Sequence, residues 1–374
     1  MRTIVLVFVV GALSCGGPGS EPSPPPAAAP PPVTFDDLVG LATSYLESGR
    51  PERALEVAQD AVEKDPARHE GHLVAGRALA AMNRLDEAIR EFELARERGA
   101  EGHRVTIELA TLYDVARRYE DAITTYQVHL ENHPEDAEAH QQLGLTFLLA
   151  DRPQEAVPSL ATARQLAPRK KQIAIDYGLA LTRVGRTDEA RRELAAVTEA
   201  DPERADAWRL LARAEATEGR WTDAIDHVDR AIQLQPKDID ALALRCRLRF
   251  FVGQTEDALS DCLAARSLAP EDRGYKLRTA GLLSTLGRVD DAQALINDVA
   301  ASLPDHPAVR FRQDQVAARA GDPDALDRIV SLAEARPSDP EIWLEVRALA
   351  RSKRKRPLEK RANTALEKLG IPAP

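Results

Sequence analysis

Apolar side chains recur at spacings of three and four along most of the chain, and that recurrence is itself repeated. Within residues 205–238, Trp208, Leu211, Ala212 and Glu215 stand at i, i+3, i+4 and i+7, largely the apolar stripe of an amphipathic helix. Gly219 follows, suited to the left-handed turn that ends such a helix. A second helix buries Ala224, Val228 and Ala231, and Pro236 stops it. Each segment therefore predicts two antiparallel helices. The segment then returns every 34 residues. Prolines stand at Pro66, Pro134, Pro168, Pro202, Pro236, Pro270 and Pro304, with Ala100 at the midpoint of the one double gap. Alanine occupies Ala54, Ala88, Ala122, Ala156, Ala190, Ala224, Ala258 and Ala292. A small residue occupies Ala42, Gly76, Ala110, Gly144, Gly178, Ala212, Cys246 and Ala280. Three registers in phase over eight frames define a repeat protein.

Finer signals agree with the helix pairs. The inter-helix turn falls at Gly49, Asn83, Arg117, Asp151, Gly185, Gly219, Gly253 and Gly287, and all but Arg117 tolerate positive φ well. Acidic residues such as Asp223 and Asp290 open the second helices, where the helix dipole favours them. Pro51 and Pro153 sit in first turns, where a missing N–H costs nothing. Pro158 lies inside a predicted helix and predicts a local kink.

With these registers the chain resembles the tetratricopeptide repeat (TPR) family, whose unit has the same period and the same small, aromatic, alanine and proline positions. The resemblance implies an all-α fold, a right-handed α-α superhelix of about nine helix-turn-helix repeats closed by a C-terminal helix pair. The array reads as 35–68, 69–102, 103–136, 137–170, 171–204, 205–238, 239–272, 273–306 and a degenerate 307–339, within 35–340. Residues 341–374 read as a partial repeat, a basic capping helix and a tail, with Trp343 on the first-helix aromatic position.

In the TPR family the first helices line a groove that holds peptides or partner helices, chiefly through residues 2, 5, 9 and 12 of each frame. The resemblance places Arg209, Arg213, Arg247 and Phe250 on that surface, with Phe251 and Arg278 leaning inward beside them and Leu145 and Leu148 forming an apolar middle. Guanidinium forks above an apolar floor suit a peptide or helix that carries carboxylates. The competing reading is that these arginines pair with interspersed aspartates and only solvate the groove. The asparagine of the chaperone-binding carboxylate clamp is missing at residue 9 of every frame, so a chaperone-tail adaptor is not expected.

Composition explains how so thin a core suffices. The 374 residues are 44 % apolar but include only 16 aromatics and two methionines, too little bulk for two or three conventional cores. Stacked thin layers of alanine and glycine remove that need. Charge is segregated as well. Residues 347–368 hold nine basic and two acidic residues, a net of +7, so the remainder carries −17 of the total −10. The basic segment reads as the solvated face of a capping helix. It has no interleaved aromatics for base stacking, and no nucleic-acid partner is expected.

The N-terminus suggests a location. An apolar stretch from Ile4 to Leu13 has the size of a secretory h-region, and no run reaches the roughly 18 residues of a membrane span. Ala12-Leu13-Ser14-Cys15-Gly16 resembles a lipoprotein lipobox. Residues 1–14 therefore read as a signal peptide, Cys15 as the lipid attachment site, and 15–34 as a proline-rich linker. Eight prolines in residues 16–33 favour an extended stalk, about 50 Å long at about 3.1 Å per residue.

Other chemistry is sparse. His129 and His133 stand at i, i+4, but the repeat places no third ligand, so no metal is expected. His72 and His140 fill the aromatic slot as packing residues. No phosphate loop, nucleophile elbow or zinc signature appears, and the repeat leaves no segment for a catalytic domain, so neither enzymatic activity nor a cofactor is expected. Cys246 and Cys262 should pack near one another; buried free thiols are the expectation, with a disulfide the alternative if their Cα atoms come within about 7 Å. The leading expectation is a non-enzymatic interaction scaffold, tethered to the bacterial envelope by its lipid alone and facing the periplasm or exterior, with assembly of an envelope complex suggested by analogy. The alternative is a soluble cytosolic adaptor or regulator that uses the basic C-terminus on an acidic or nucleic-acid partner.

Overall fold

The computed structural model describes residues 33–371; residues 1–32, with the apolar leader, Cys15 and nearly all of the proline-rich segment, and residues 372–374 lie outside it. Among the described residues are twenty α-helices, α1 (Phe35–Glu47) to α20 (Arg356–Lys368), and no strand. They stack as successive antiparallel pairs, each packed on the next. None is long and apolar enough to cross a membrane.

Each pair is built the same way. The residue between its helices adopts positive φ, including Asn83 (58°), Asp151 (58°) and Arg117 (59°). Arg117 thus takes the left-handed conformation without the freedom of glycine, because the turn is dictated by the pair that it joins. An arginine usually caps the second helix and pairs with an acidic residue three places on. Arg84–Glu87 (2.6 Å), Arg152–Glu155 (2.5 Å) and Arg186–Glu189 (2.7 Å) repeat this clasp. At the other end of the frame, the aromatic slot reaches back to the carbonyl of the closing proline. Trp208 Nε1 donates to the Pro202 carbonyl (2.9 Å) and Trp343 Nε1 to that of Pro337 (3.2 Å). His140 Nε2 lies 2.9 Å from the Pro134 carbonyl in the same arrangement.

The small register marks where the two backbones come closest. A Cβ added to Gly144 would stand 2.5 Å from Leu160 Cγ, and one on Gly178 would stand 2.6 Å from Leu194 Cγ. A Cβ on Gly76 would meet Phe92 Cδ2 at 2.7 Å. In every case the neighbour is the residue 16 places later. That register decides the cysteines. Cys246 on α13 (Ile239–Phe251) and Cys262 on α14 (Thr255–Leu268) are the same pair in the seventh frame, and they are joined by a disulfide with Cα atoms 5.5 Å apart. The expectation of free thiols is therefore corrected. At Pro158, α8 (Pro153–Leu166) continues through the proline, whose ring is on the exposed face.

The last frames curl back on the middle of the array. α19 (Pro340–Ser352) touches α13, three frames earlier. Trp221, at the start of α12 (Trp221–Leu234), donates from Nε1 to the Gly370 carbonyl at 2.8 Å. Its ring meets Phe251 edge-on at 5.3 Å, and the core around them includes Trp343, Leu344 and the fully buried Ile371. Frames six to ten thereby form a closed arc.

Close approach at the small register predicts that Gly144→Ala lowers stability by about 1–3 kcal/mol, because Leu160 must give way inside a packed layer. Gly40→Ala, which meets nothing within 4 Å, should leave stability unchanged or raised. Urea unfolding of both variants checks the contrast.

Candidate functional site: the concave face

The inner wall is laid down by the odd-numbered helices. Its middle is apolar: on α7 (Ala137–Leu149), Leu145 is half-buried, Leu148 is buried and Leu149 is 58 % exposed. Asp114, at the end of α5 (His103–Val115), stands beside them, and its Oδ2 accepts a hydrogen bond from Thr146 Oγ1 at 2.8 Å. Its other carboxyl oxygen has no partner among the described residues. Burial pushes this carboxyl up to about 6, and the Thr146 hydrogen bond only partly opposes the rise.

Beyond the apolar middle the wall is cationic. On α11 (Ala205–Thr217), Arg209 donates from Nε to Asp238 at 3.1 Å, and its Nη1 lies 3.8 Å from Asp240. Arg209 is therefore neutralised by the chain itself. Arg213, one turn on, has no carboxylate partner among the described residues, and neither has Arg247 on α13 or Arg278 on α15 (Arg273–Thr285). Burial lowers the pKa of the Arg213 guanidinium, with Arg209 and Arg183 adding like-charge repulsion. Arg247 is lowered by burial first and then by Arg278 and Arg213, although its side chain still reaches solvent within the curved wall. Carboxylates act on the three only beyond ion-pair distance, Asp240 on Arg213 and Glu341 on Arg247 and Arg278.

The arc closes just past these residues. Arg312 on α17 (Pro307–Ala320) is buried and lies over Gly281, where a Cβ would come 2.6 Å from its Nη1. It forms an ion pair with Glu341, and Arg319 forms one with the buried Glu345. Gln315 Nε2 completes the network with a hydrogen bond to Glu345 Oε2 at 2.7 Å. Phe251 is 8 % exposed and belongs to this core, with half-buried Phe250 packed against it, so Phe251 offers little surface to a partner. A cleft of about 490 Å³, lined by Leu277, Arg278, Phe311, Arg312, Glu341 and Ile342, remains open beside the network.

A repeated helix pair with a register of close approach and a curved inner wall is one architecture, and the sequence carries its signature. The tetratricopeptide repeat profile matches residues 39–103, 107–170 and 176–239, a little over half of the chain. The chain belongs to the tetratricopeptide repeat family. No curated protein matches it in sequence. Among solved structures, a tetratricopeptide repeat protein from Parabacteroides merdae is similar at 17 % identity and a TM-score of 0.56, covering 66 % of this chain and 97 % of its own. PilW, described as a type IV pilus biogenesis factor, is similar at 20 % identity and a TM-score of 0.52, over 55 % of this chain and 96 % of its own. These likenesses establish the fold, an α-α superhelix.

Tetratricopeptide repeat proteins bind peptide or protein partners, and the inner wall is where this array differs most from the sequence picture. Of the anticipated residues, Arg213, Arg247 and Arg278 lie near enough for Coulombic coupling, Leu145 and Leu148 sit further along the same wall, and Arg209 and Phe251 are engaged within the fold. Gln315, Glu341 and Glu345 went unanticipated because they fall in degenerate frames whose register the period does not supply. His72 takes the aromatic slot but turns to Glu91 at 2.7 Å.

Asp114 generates a pH prediction. Its folded-state pKa lies above the unfolded value, so its contribution to stability is fully present at low pH and is lost as pH rises through about 6. Asp114→Asn, which keeps an acceptor for Thr146, should be close to neutral at pH 4 and more stable than the parent by about 1–2 kcal/mol at pH 7. Chemical denaturation at the two pH values measures the difference.

Proposed function

We propose that the protein is a non-enzymatic interaction scaffold that captures a carboxylate-bearing peptide or helix on the concave wall of its TPR array. The carrying observation is the trio Arg213, Arg247 and Arg278, close to one another and with no ion pair among the described residues, of which Arg278 lines a cleft that also holds Leu277, Phe311 and Ile342. Other arginines also lack an ion pair, but these three lie near enough to repel one another on one wall, which suits positive charge met from outside. Incoming carboxylates would relieve the mutual repulsion among the three and gain bidentate contacts, while Leu145 and the exposed Leu149 supply apolar contact further along.

The envelope tether belongs to the same proposal and rests on the sequence before residue 33: the apolar stretch ending at Leu13, then Cys15, then the proline-rich segment. A groove held off a membrane by a semi-rigid stalk suits the gathering of an envelope complex at that surface.

Two outcomes are expected. Arg213→Glu combined with Arg247→Glu should reduce crosslinked partner capture at least tenfold, with circular dichroism unchanged; unchanged capture would move the site elsewhere. In fractionated cells the parent should sediment with membranes and Cys15→Ala should not; a parent found in the soluble cytosolic fraction would exclude the tether.

A further inference from the structure

The third frame carries a feature that its repeat does not explain. His129, on α6 (Tyr119–Asn132), occupies a buried second-helix slot held in the other seven regular frames by Ala61, Ala95, Ala163, Val197, Ala231, Ala265 and Val299, each no more than 4 % exposed. An imidazole that is 8 % exposed in a slot made for a methyl or isopropyl group has no packing reason to be there. Its ring instead meets two further ligand-bearing groups. Asp136, the N-cap of α7, lies with Oδ2 2.8 Å from His129 Nε2. His103, the first residue of α5, directs Nδ1 at the same carboxylate oxygen in a short contact. The i, i+4 neighbour His133 only lies against the His129 ring, with centroids 4.7 Å apart. The third ligand missing from the sequence pattern thus comes from helix ends that the superhelix brings together.

We propose that His103 Nδ1, His129 Nε2 and Asp136 Oδ2 form a binding site for a divalent first-row transition ion of the zinc class, with a remaining position open to water. The three ligand atoms lie within 4.8 Å of one another. A tetrahedral ion with bonds of roughly 2.0–2.2 Å needs donors roughly 3.3–3.5 Å apart, so side-chain shifts of about an ångström or less assemble the site. Two nitrogens and one carboxylate oxygen select such an ion over calcium or magnesium, which prefer oxygen alone. The supporting shell is present. Asp136 Oδ1 accepts hydrogen bonds from the Glu138 and Ala139 amides at 3.1 and 3.0 Å, which fixes the carboxylate plane. His103 Nε2 lies 3.5 Å from Glu138 Oε2, placing a carboxylate behind a metal-bound imidazole. Side-chain exposure of 43 % at His103 leaves a route for the ion.

The test uses the untagged full chain carrying Cys15→Ala, which removes the one thiol outside the Cys246–Cys262 bridge. Calorimetric titration with Zn²⁺ should show one ion per chain, and Co²⁺ should give the visible absorption of a nitrogen- and oxygen-bound, low-coordinate ion. His129→Ala restores the residue used by most other frames and so should fold; circular dichroism verifies this. It should weaken binding at least a hundredfold, and Asp136→Asn at least tenfold. His133→Ala should bind within twofold of the parent, and Zn²⁺ should raise the melting temperature of the parent but not of folded His129→Ala. Absence of stoichiometric binding, binding that survives His129→Ala, or an equal loss in His133→Ala would each overturn the assignment.

Discussion

The eight regular frames rest on one recurring approach, between the eighth residue of the first helix and the residue 16 places later on its partner. Side-chain volume is divided between those two positions rather than fixed at either. Glycine faces phenylalanine or leucine, as at Gly76–Phe92 and Gly144–Leu160, while Ala212 faces Val228 and Cys246 faces Cys262. A small residue thus faces a larger one at the close approach while the residues change, and successive pairs stack on one another. This is how a chain with few large side chains builds a continuous interior. It also explains why the disulfide fits without special provision, since the seventh frame uses two cysteines where others use one small and one larger residue.

A second economy governs charge. In six of the ten frames an arginine at the N-cap of the second helix is clasped by an acid three residues on, which neutralises that frame's turn. Longer-range pairs such as Arg312–Glu341 and Arg319–Glu345 neutralise the inside of the closed arc. Arg213, Arg247 and Arg278 differ from Arg209 in having no ion pair among the described residues, and they lie close enough to repel one another, with Asp240 and Glu341 acting only at longer range.

The helix pairs were legible in the sequence because the contacts that define them are local and repeat with the period. The closed arc was not. Its link between Trp221 and Gly370 spans 149 residues and depends on a small rotation accumulated frame by frame, which no single frame encodes. Spacing placed Cys246 and Cys262 together, but proximity alone does not determine whether two thiols are oxidised. The groove arginines were legible as residues but not as partners: the pairing reading holds for Arg209, whereas Arg213 and Arg247 depart from it. His129 was legible as half of an i, i+4 pair, yet the decisive clue was its slot, where other frames carry alanine or valine. Comparing frames at one position, rather than neighbours along one helix, exposes that substitution.

A solenoid whose units touch only their neighbours behaves as a spring, because each interface contributes a little compliance. The Trp221–Gly370 hydrogen bond and the buried Ile371 fasten the end of frame ten to the turn of frame six. The spring is clamped over half its length. Extra contacts of this kind stiffen the half that carries the three arginines relative to the first five frames, so the same tension would stretch the first five more. The array divides into an elastic arm and a rigid hand, a division set by contacts at its far end.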